Sequence, residues 1–329
     1  MQSLVERLDG LLYFPVTPFV RGSGDRAGRV DLAAYREHLD SRLAFLDAVQ
    51  RPGPAAVFAC CGTGEFFSLD LDEYADCVRV AAEAAAGRVP VVAGIGYGAA
   101  LAASFAAAAK ECGADGLLVM PPYLVAGGAA GLRDHYAAVA EGTDLDLIIY
   151  QRDNVTFTPE VVADLAAVPN IVGFKDGKGD LDLMQRIVSA VRDRHGEDAL
   201  LYLNGLPTAE MSQLAYRGVG VPGYSSAVFC FAPDIALAFY HAYRAPDSEG
   251  SALVTALLDR FYRPLVELRH QAPGYAVSLV KAGVRLDGLD AGPVRPPLAE
   301  PAAEHVERLA GLVTEGRRVL AEHGIGPAA

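Results

Sequence analysis

Leu147-Ile148-Ile149-Tyr150, one helix-length segment, then Ile171-Val172-Gly173-Phe174-Lys175: two short apolar runs, each closing on a reactive side chain. Runs that are apolar throughout, without alternation, are what strands of a parallel sheet need when helices cover both faces. Working outward, similar β-rich runs fall at 11–16, 55–60, 89–93, 116–120, 200–204 and 218–224, which with 147–150 and 171–175 makes eight. Helical patterns separate them at 31–49, 70–86, 99–112, 129–141, 159–167, 180–194 and 208–216. Asp31, Asp70 and Asp180 stand where helix N-caps belong, and Gly87, Gly113 and Gly142 where helices should stop. Eight strand–helix units of this spacing predict a (β/α)8 TIM barrel over 1–232, with its site at the carboxyl ends of the strands. The remainder, 233–329, has only helical patterns, at 233–243, 251–269, 276–284 and 302–323, and predicts a helical extension packed on the barrel.

Lys175 and Tyr150 therefore close adjacent strands at one end of the barrel. An ammonium in apolar surroundings loses hydration, its pKa falls, and the neutral amine can attack a carbonyl. A phenol beside it can move the protons that imine formation and breakdown require. Each residue alone also suits a structural role, the lysine snorkelling out and the tyrosine filling core. Their matched placement points to Schiff-base chemistry. A third strand ends in Cys61-Gly62-Thr63-Gly64-Glu65, where glycines allow close backbone approach and exposed N–H groups beside Thr63 can hold a carboxylate.

Composition narrows the partners. With 52% hydrophobic and 21% charged residues the chain buries a large core, and a net charge of −13 argues against a nucleic-acid or acidic-membrane partner. The five cysteines lack the regular spacing of a disulfide framework and fit a reducing cytoplasm. The start, Met1-Gln2-Ser3-Leu4-Val5-Glu6, shows no signal-peptide pattern, and no apolar run is long enough to span a membrane. Gly94-Ile95-Gly96-Tyr97-Gly98-Ala99 matches a dinucleotide fingerprint, but the next strand ends in Met120-Pro121-Pro122 and offers no acid for a ribose. Lys178, in a glycine-rich loop without a G-K-[ST] pattern, is expected to be a solvated loop lysine. The histidines are dispersed, so no metal site is expected.

With these residues in hand, the chain resembles, from end to end, the dihydrodipicolinate synthase and N-acetylneuraminate lyase family of class I aldolases. The resemblance rests on Gly62-Thr63-Gly64-Glu65, on Tyr150 and on Gly173-Phe174-Lys175. It implies an imine-forming Lys175, a proton-shuttling Tyr150 and a carboxylate-binding Thr63, flanked by Gly62 and Gly64. Two departures concern the synthase proton relay, since Gly62 replaces the turn's first threonine and Leu124 falls where the relay tyrosine would. Gln151-Arg152-Asp153-Asn154 also replaces the usual Asn-Val-Pro.

Longer segments are similar to the 5-dehydro-4-deoxyglucarate dehydratase branch. Among them are Tyr13-Phe14-Pro15-Val16-Thr17-Pro18-Phe19, Val221-Pro222-Gly223-Tyr224-Ser225-Ser226-Ala227-Val228-Phe229 and Asp290-Ala291-Gly292-Pro293-Val294-Arg295-Pro296-Pro297-Leu298. That resemblance implies dehydration and decarboxylation of a small keto-sugar diacid, with no cofactor, in a cytoplasmic homo-oligomer, a tetramer. Arg152, Ser225 and Ser226 are the candidates for its distal carboxylate or hydroxyls. The alternatives are another Schiff-base aldolase or synthase for 2-keto acids, and a catalytically silent barrel that binds a keto acid.

Overall fold

The computed structural model describes residues 4–25, 27–48, 53–245 and 247–326. Among these, eight parallel strands close into a barrel in chain order. They are β1 (Leu12–Tyr13), β2 (Ala56–Ala59), β3 (Val91–Ile95), β4 (Gly116–Val119), β5 (Asp146–Gln151), β6 (Ile171–Asp176), β7 (Leu201–Asn204) and β8 (Gly223–Ser226). Closure pairs Leu12 with Ser225 and Tyr13 with Ser226. The expected TIM barrel is what forms.

Side chains that point inward, such as Leu12, Phe58, Val92, Leu118 and Ile148, fill the barrel interior. Alternate residues, such as Val57, Val91, Ile149 and Phe174, pack outward against the helices. The amino end is plugged by a single turn, α1 (Leu4–Arg7), whose Leu4 joins the interior. Gly116 makes room for it, because a Cβ there would lie 2.4 Å from Leu4 Cδ2.

The surrounding helices are α2 (Leu32–Leu43), α3 (Leu71–Ala85), α4 (Ala99–Glu111), α5 (Ala129–Glu141), α6 (Pro159–Leu165), α7 (Leu181–His195) and α8 (Gln213–Gly218). The three aspartates cap as expected, Asp31 accepting from Ala34 N, Asp70 from Glu73 N and Asp180 from Leu183 N. The helix expected over 31–49 ends at Leu43 and continues as one tight 3-10 turn, Ala44–Asp47, and Val49 lies outside the described residues. The strand expected at 218–224 is displaced. Gly218 closes α8, Gly220 turns the chain at φ 87°, and Pro222 has no N–H for a ladder, so pairing begins at Gly223. Gly94 of the dinucleotide-like run has a packing reason, since a Cβ there would meet the Cys60 carbonyl oxygen at 2.4 Å.

After β8 come α9 (Pro233–Arg244), α10 (Ser248–Leu257), α11 (Arg263–Arg269), α12 (Tyr275–Leu286) and α13 (Ala303–Glu322). The long helix expected at 251–269 is interrupted by a π turn, Leu258–Tyr262, immediately before Pro264. Proline supplies no N–H and crowds the preceding turn, and the wider turn absorbs both defects. No helix among the described residues is long and apolar enough to cross a membrane.

The extension is tied to the β2 turn by charges taken fully out of water. Lys281 Nζ lies 2.6 Å from Glu65 Oε1, with neither side chain exposed, and donates to the Pro293 carbonyl at 2.7 Å. Glu65 Oε2 accepts the Arg295 backbone N–H at 2.9 Å, and Arg295 pairs with Glu73. Both cations lie over the Phe19 ring, each 4.1 Å from its centroid. Removing one member of such a pair leaves the other charged and unsolvated. Lys281→Met should therefore destabilise the protein by about 3–5 kcal/mol in urea unfolding, with Glu65→Gln added to it restoring part of the loss; a midpoint unchanged by Lys281→Met would show the pair to be dispensable.

Candidate active site

Strand register decides what meets what at the carboxyl end of the barrel. Tyr150 on β5 pairs directly with Lys175 on β6, so both side chains point inward at the same height. The Lys175 ammonium lies 4.2 Å from the Tyr150 ring centroid and 4.5 Å from that of Phe14, and only 4% of the residue is exposed. Burial lowers its pKa to about 7, and the Arg152 charge pushes the same way. Cys61 is the opposing neighbour, but burial holds its thiol at about 12, so near neutral pH it carries no charge to offset. At pH 7 a large fraction of Lys175 is thus a free amine.

Two glycines hold the pair in place. Gly205 follows β7, and a Cβ there would stand 2.8 Å from Lys175 Cε and 2.9 Å from Tyr150 Cε2. Gly177 follows β6, and its Cβ would stand 2.9 Å from the Tyr150 hydroxyl. The hydroxyl donates to the Gly205 carbonyl at 2.9 Å, and Gly205 N donates to the Asp176 carbonyl at 2.6 Å. Asp176, buried behind Lys175, accepts from Gln151 Nε2 at 2.6 Å, from Lys178 N at 3.0 Å, from Gly179 N at 3.2 Å and from the Tyr216 hydroxyl. Gln151 in turn accepts the Phe157 N–H at 3.1 Å. Local pattern does not join Gly177, Gly205, Asp176 and Gln151 into one scaffold; the signals the sequence carries are glycines just past strand ends and Gln151 as a departure from the family pattern.

These groups open into a cavity of about 510 Å³. Lys175, Tyr150, Gly62, Thr63, Arg152 and Ser225 all line it. Gly64 does not. It packs against Pro15 and Thr17, whose hydroxyl donates to the Gly64 carbonyl at 2.8 Å. Ser226 is also turned away, wholly buried and donating to Glu210 at 2.6 Å, because alternation on β8 sends neighbouring side chains to opposite faces. Gly64 and Ser226, expected in the substrate-binding set, therefore stand outside the cavity lining.

The β2 turn is closed by Glu65 N to Gly62 O and Phe66 N to Cys61 O, leaving the N–H groups of Gly62 and Thr63 outside its own bonds. Lys178 is exposed, as expected, and donates to the Asp153 carbonyl at 2.9 Å, bracing the loop that carries Arg152. The far wall belongs to the extension, with Leu265, Arg269, Tyr275 and Val277 among its residues. All five cysteines are free and buried.

Comparison with known proteins bears on this arrangement. Residues 7–315 match the model of the dihydrodipicolinate synthetase family. A Streptomyces griseus protein named a probable 5-dehydro-4-deoxyglucarate dehydratase is 60% identical over 314 residues, covering 95% of this chain and 93% of its own. A Streptomyces coelicolor protein of like name is 57% identical, covering 96% of this chain and 95% of its own. Among solved structures, dihydrodipicolinate synthase from Bacillus clausii superposes with a TM-score of 0.80 at 27% identity, over 98% of this chain and all of that one (100%).

The glycine constraint is testable without knowing the substrate. Gly205→Ala should leave the far-ultraviolet circular dichroism unchanged while lowering the rate of borohydride-trapped imine formation with a 2-keto acid by about 100-fold, the cost of displacing a reacting group by roughly an ångström. Wild-type trapping rates in that variant would show that the site tolerates the methyl group.

Proposed function

This chain belongs to the dihydrodipicolinate synthetase family, and from that premise we propose that it is a lyase, 5-dehydro-4-deoxyglucarate dehydratase, converting 5-dehydro-4-deoxy-D-glucarate to 2,5-dioxopentanoate, water and carbon dioxide. The observation that carries the chemistry is the buried amine of Lys175, 4.2 Å from the Tyr150 ring centroid and lining the cavity. The specific substrate follows from relatives of that name at 57–60% identity over nearly the whole chain.

In this reading the Lys175 amine adds to the C5 ketone, and loss of water gives an iminium. The iminium acidifies C4, Tyr150 carries the proton away, and the C3 hydroxyl leaves as water. The product is an iminium conjugated with a C3–C4 double bond. Breaking the C1–C2 bond releases carbon dioxide and sends its electron pair through C2, C3 and C4 to the nitrogen. Protonation at C4 and C3 turns the C2 enol into an aldehyde, and hydrolysis returns the free lysine. The imine is its own electron sink, so the scheme calls on no metal or organic cofactor.

The carboxylate next to the imine carbon is assigned to the Thr63 turn, whose Gly62 and Thr63 N–H groups take no part in the turn's own bonds and would hold an anion without adding a charge beside the amine. Arg152 and Ser225, which line the cavity, are proposed for the second carboxylate and the hydroxyls. Residues 1–232 and 233–329 are proposed as two architectural units sharing one site, supported by the extension's contribution to the cavity wall. We also propose a cytoplasmic homo-oligomer, a tetramer. Support for association is the consecutive run Tyr123, Leu124 and Val125, which is 68%, 78% and 64% exposed, its first two residues lining the cavity.

Purified protein supplied with 5-dehydro-4-deoxy-D-glucarate should release carbon dioxide, and Lys175→Ala should abolish release while remaining folded. Activity should also rise with pH through about 7, because the protonated amine present below that value cannot attack a carbonyl. Release unaffected by Lys175→Ala would refute the assignment.

A further inference from the structure

A keto-sugar diacid brings two negative charges, and the charged side chains lining the cavity are Arg152, Asp153, Lys175 and Arg269. Arg152 and Asp153 answer each other, Nε to Oδ2 at 3.0 Å. Lys175 becomes the iminium, whose charge lies beside the near carboxylate. Arg269, half-buried on α11, is left over. It has no ion pair among the described residues, and its guanidinium meets neutral groups. Nη1 donates to the Pro207 carbonyl and, at 2.8 Å, to the Thr208 hydroxyl, and Nη2 donates to His270 Nε2 at 3.2 Å. Glu210 is the acid that acts on it, but that carboxyl is wholly buried and accepts from Ser226 at 2.6 Å. Of the five N–H donors of a guanidinium, Nε–H and one N–H of Nη2 thus have no partner among the described residues.

The guanidinium is also held within reach of the amine. Thr208 is buried at φ 58°, a left-handed backbone that a β-branched residue adopts at a cost, and its hydroxyl is one of the groups fixing Nη1. On the same loop, a Cβ on Gly205 would stand 2.8 Å from Lys175 Cε. Pro207 lies two residues on, at most about 7 Å of chain. The four bonds from the ketone carbon C5 to the C1 carboxyl carbon span about 5 Å when extended. The reach of the substrate and the reach of the loop are of one scale.

We propose that Arg269 is the specificity residue for the second carboxylate, gripping it through Nε and Nη2 while Lys175 holds the ketone end. A carboxylate matches the guanidinium fork with two parallel bonds, and arginine stays charged at every relevant pH. The hydroxyls then fall to Arg152, already matched by Asp153, and to Ser225. The helices after β8 thereby gain a part in recognition: the barrel carries the reacting groups, and the extension reads the far charge of the substrate. A keto acid without that charge leaves Arg269 unanswered, and a markedly shorter diacid does not reach it. This role rests on the keto-diacid reading of the site.

The test compares 2-oxoadipate with 2-oxohexanoate, 2-keto acids of equal chain length that differ in the distal carboxylate alone. Both lack the hydroxyl that the proposed scheme expels, so neither depends on carbon dioxide release. Absence of that release from 5-dehydro-4-deoxy-D-glucarate would remove the proposed reaction and leave this measurement standing. Borohydride trapping on Lys175 over a concentration series gives a half-saturating concentration for each acid. The wild type should favour 2-oxoadipate by about 100-fold, the worth of one charge-assisted bidentate contact. Arg269→Gln should erase that preference by weakening 2-oxoadipate while leaving 2-oxohexanoate unchanged. Arg269→Lys, a point charge without the fork, should keep part of the preference, and Arg152→Gln should keep all of it. Equal loss for both acids in Arg269→Gln would make the arginine a brace for the 205–208 loop. Loss of preference in Arg152→Gln alone would move the carboxylate to Arg152. A wild type that does not distinguish the acids, or traps neither, would leave no distal contact to assign. Each of these results would overturn the proposal.

Discussion

A lysine at the end of a barrel strand reaches water unless its neighbours cover it, and in this chain the cover is supplied by Phe14, Tyr150 and Cys61 around the amine. Loss of hydration is what brings the amine into its neutral form near pH 7. Other features of the carboxyl end serve that condition. Gly177 and Gly205 allow the Tyr150 ring and the lysine stem to lie flat on the floor, and the Asp176 and Gln151 bonds hold those glycines' strands in register. The apolar wall from the extension limits solvent on the opposite side.

The helices after β8 are therefore more than packing. They complete the cavity with residues such as Leu265 and Tyr275, and they anchor the β2 turn through Glu65. Glu65 sits at φ 55°, a left-handed conformation that a glutamate adopts at a cost, and its carboxylate is held there by Lys281 and by the Arg295 N–H. The turn that carries Gly62 and Thr63 is fixed by residues more than two hundred positions away in sequence. Binding geometry at the barrel mouth and stability of the extension are thus coupled through one buried carboxylate.

Much of this was legible in the chain. Parallel strands covered on both faces become apolar runs, and their ends named Tyr150 and Lys175 before any geometry was known. β8 was harder, because Gly218, Gly220 and Pro222 interrupt an apolar pattern that otherwise reads as strand. With a strand expected over 218–224, Ser225 and Ser226 read alike as residues at its end, whereas their place within β8 separates them by face. The scaffold of Asp176, Gln151 and Gly205 depends on register between strands, and the pairing of Glu65 with Lys281 on a fold closing over 216 residues of chain; neither is encoded in local periodicity. Gly62 and Arg152 are visible in the sequence as departures from a family pattern, but their approach to each other across the cavity is not.

The proposed chemistry depends on a covalent bond between Lys175 Nζ and the substrate's ketone carbon. Borohydride reduction of the protein in the presence of 5-dehydro-4-deoxy-D-glucarate, followed by peptide mapping, tests it directly. A substrate-derived adduct confined to Lys175 is the predicted result; an adduct on another lysine, or none while substrate is being consumed, would contradict it.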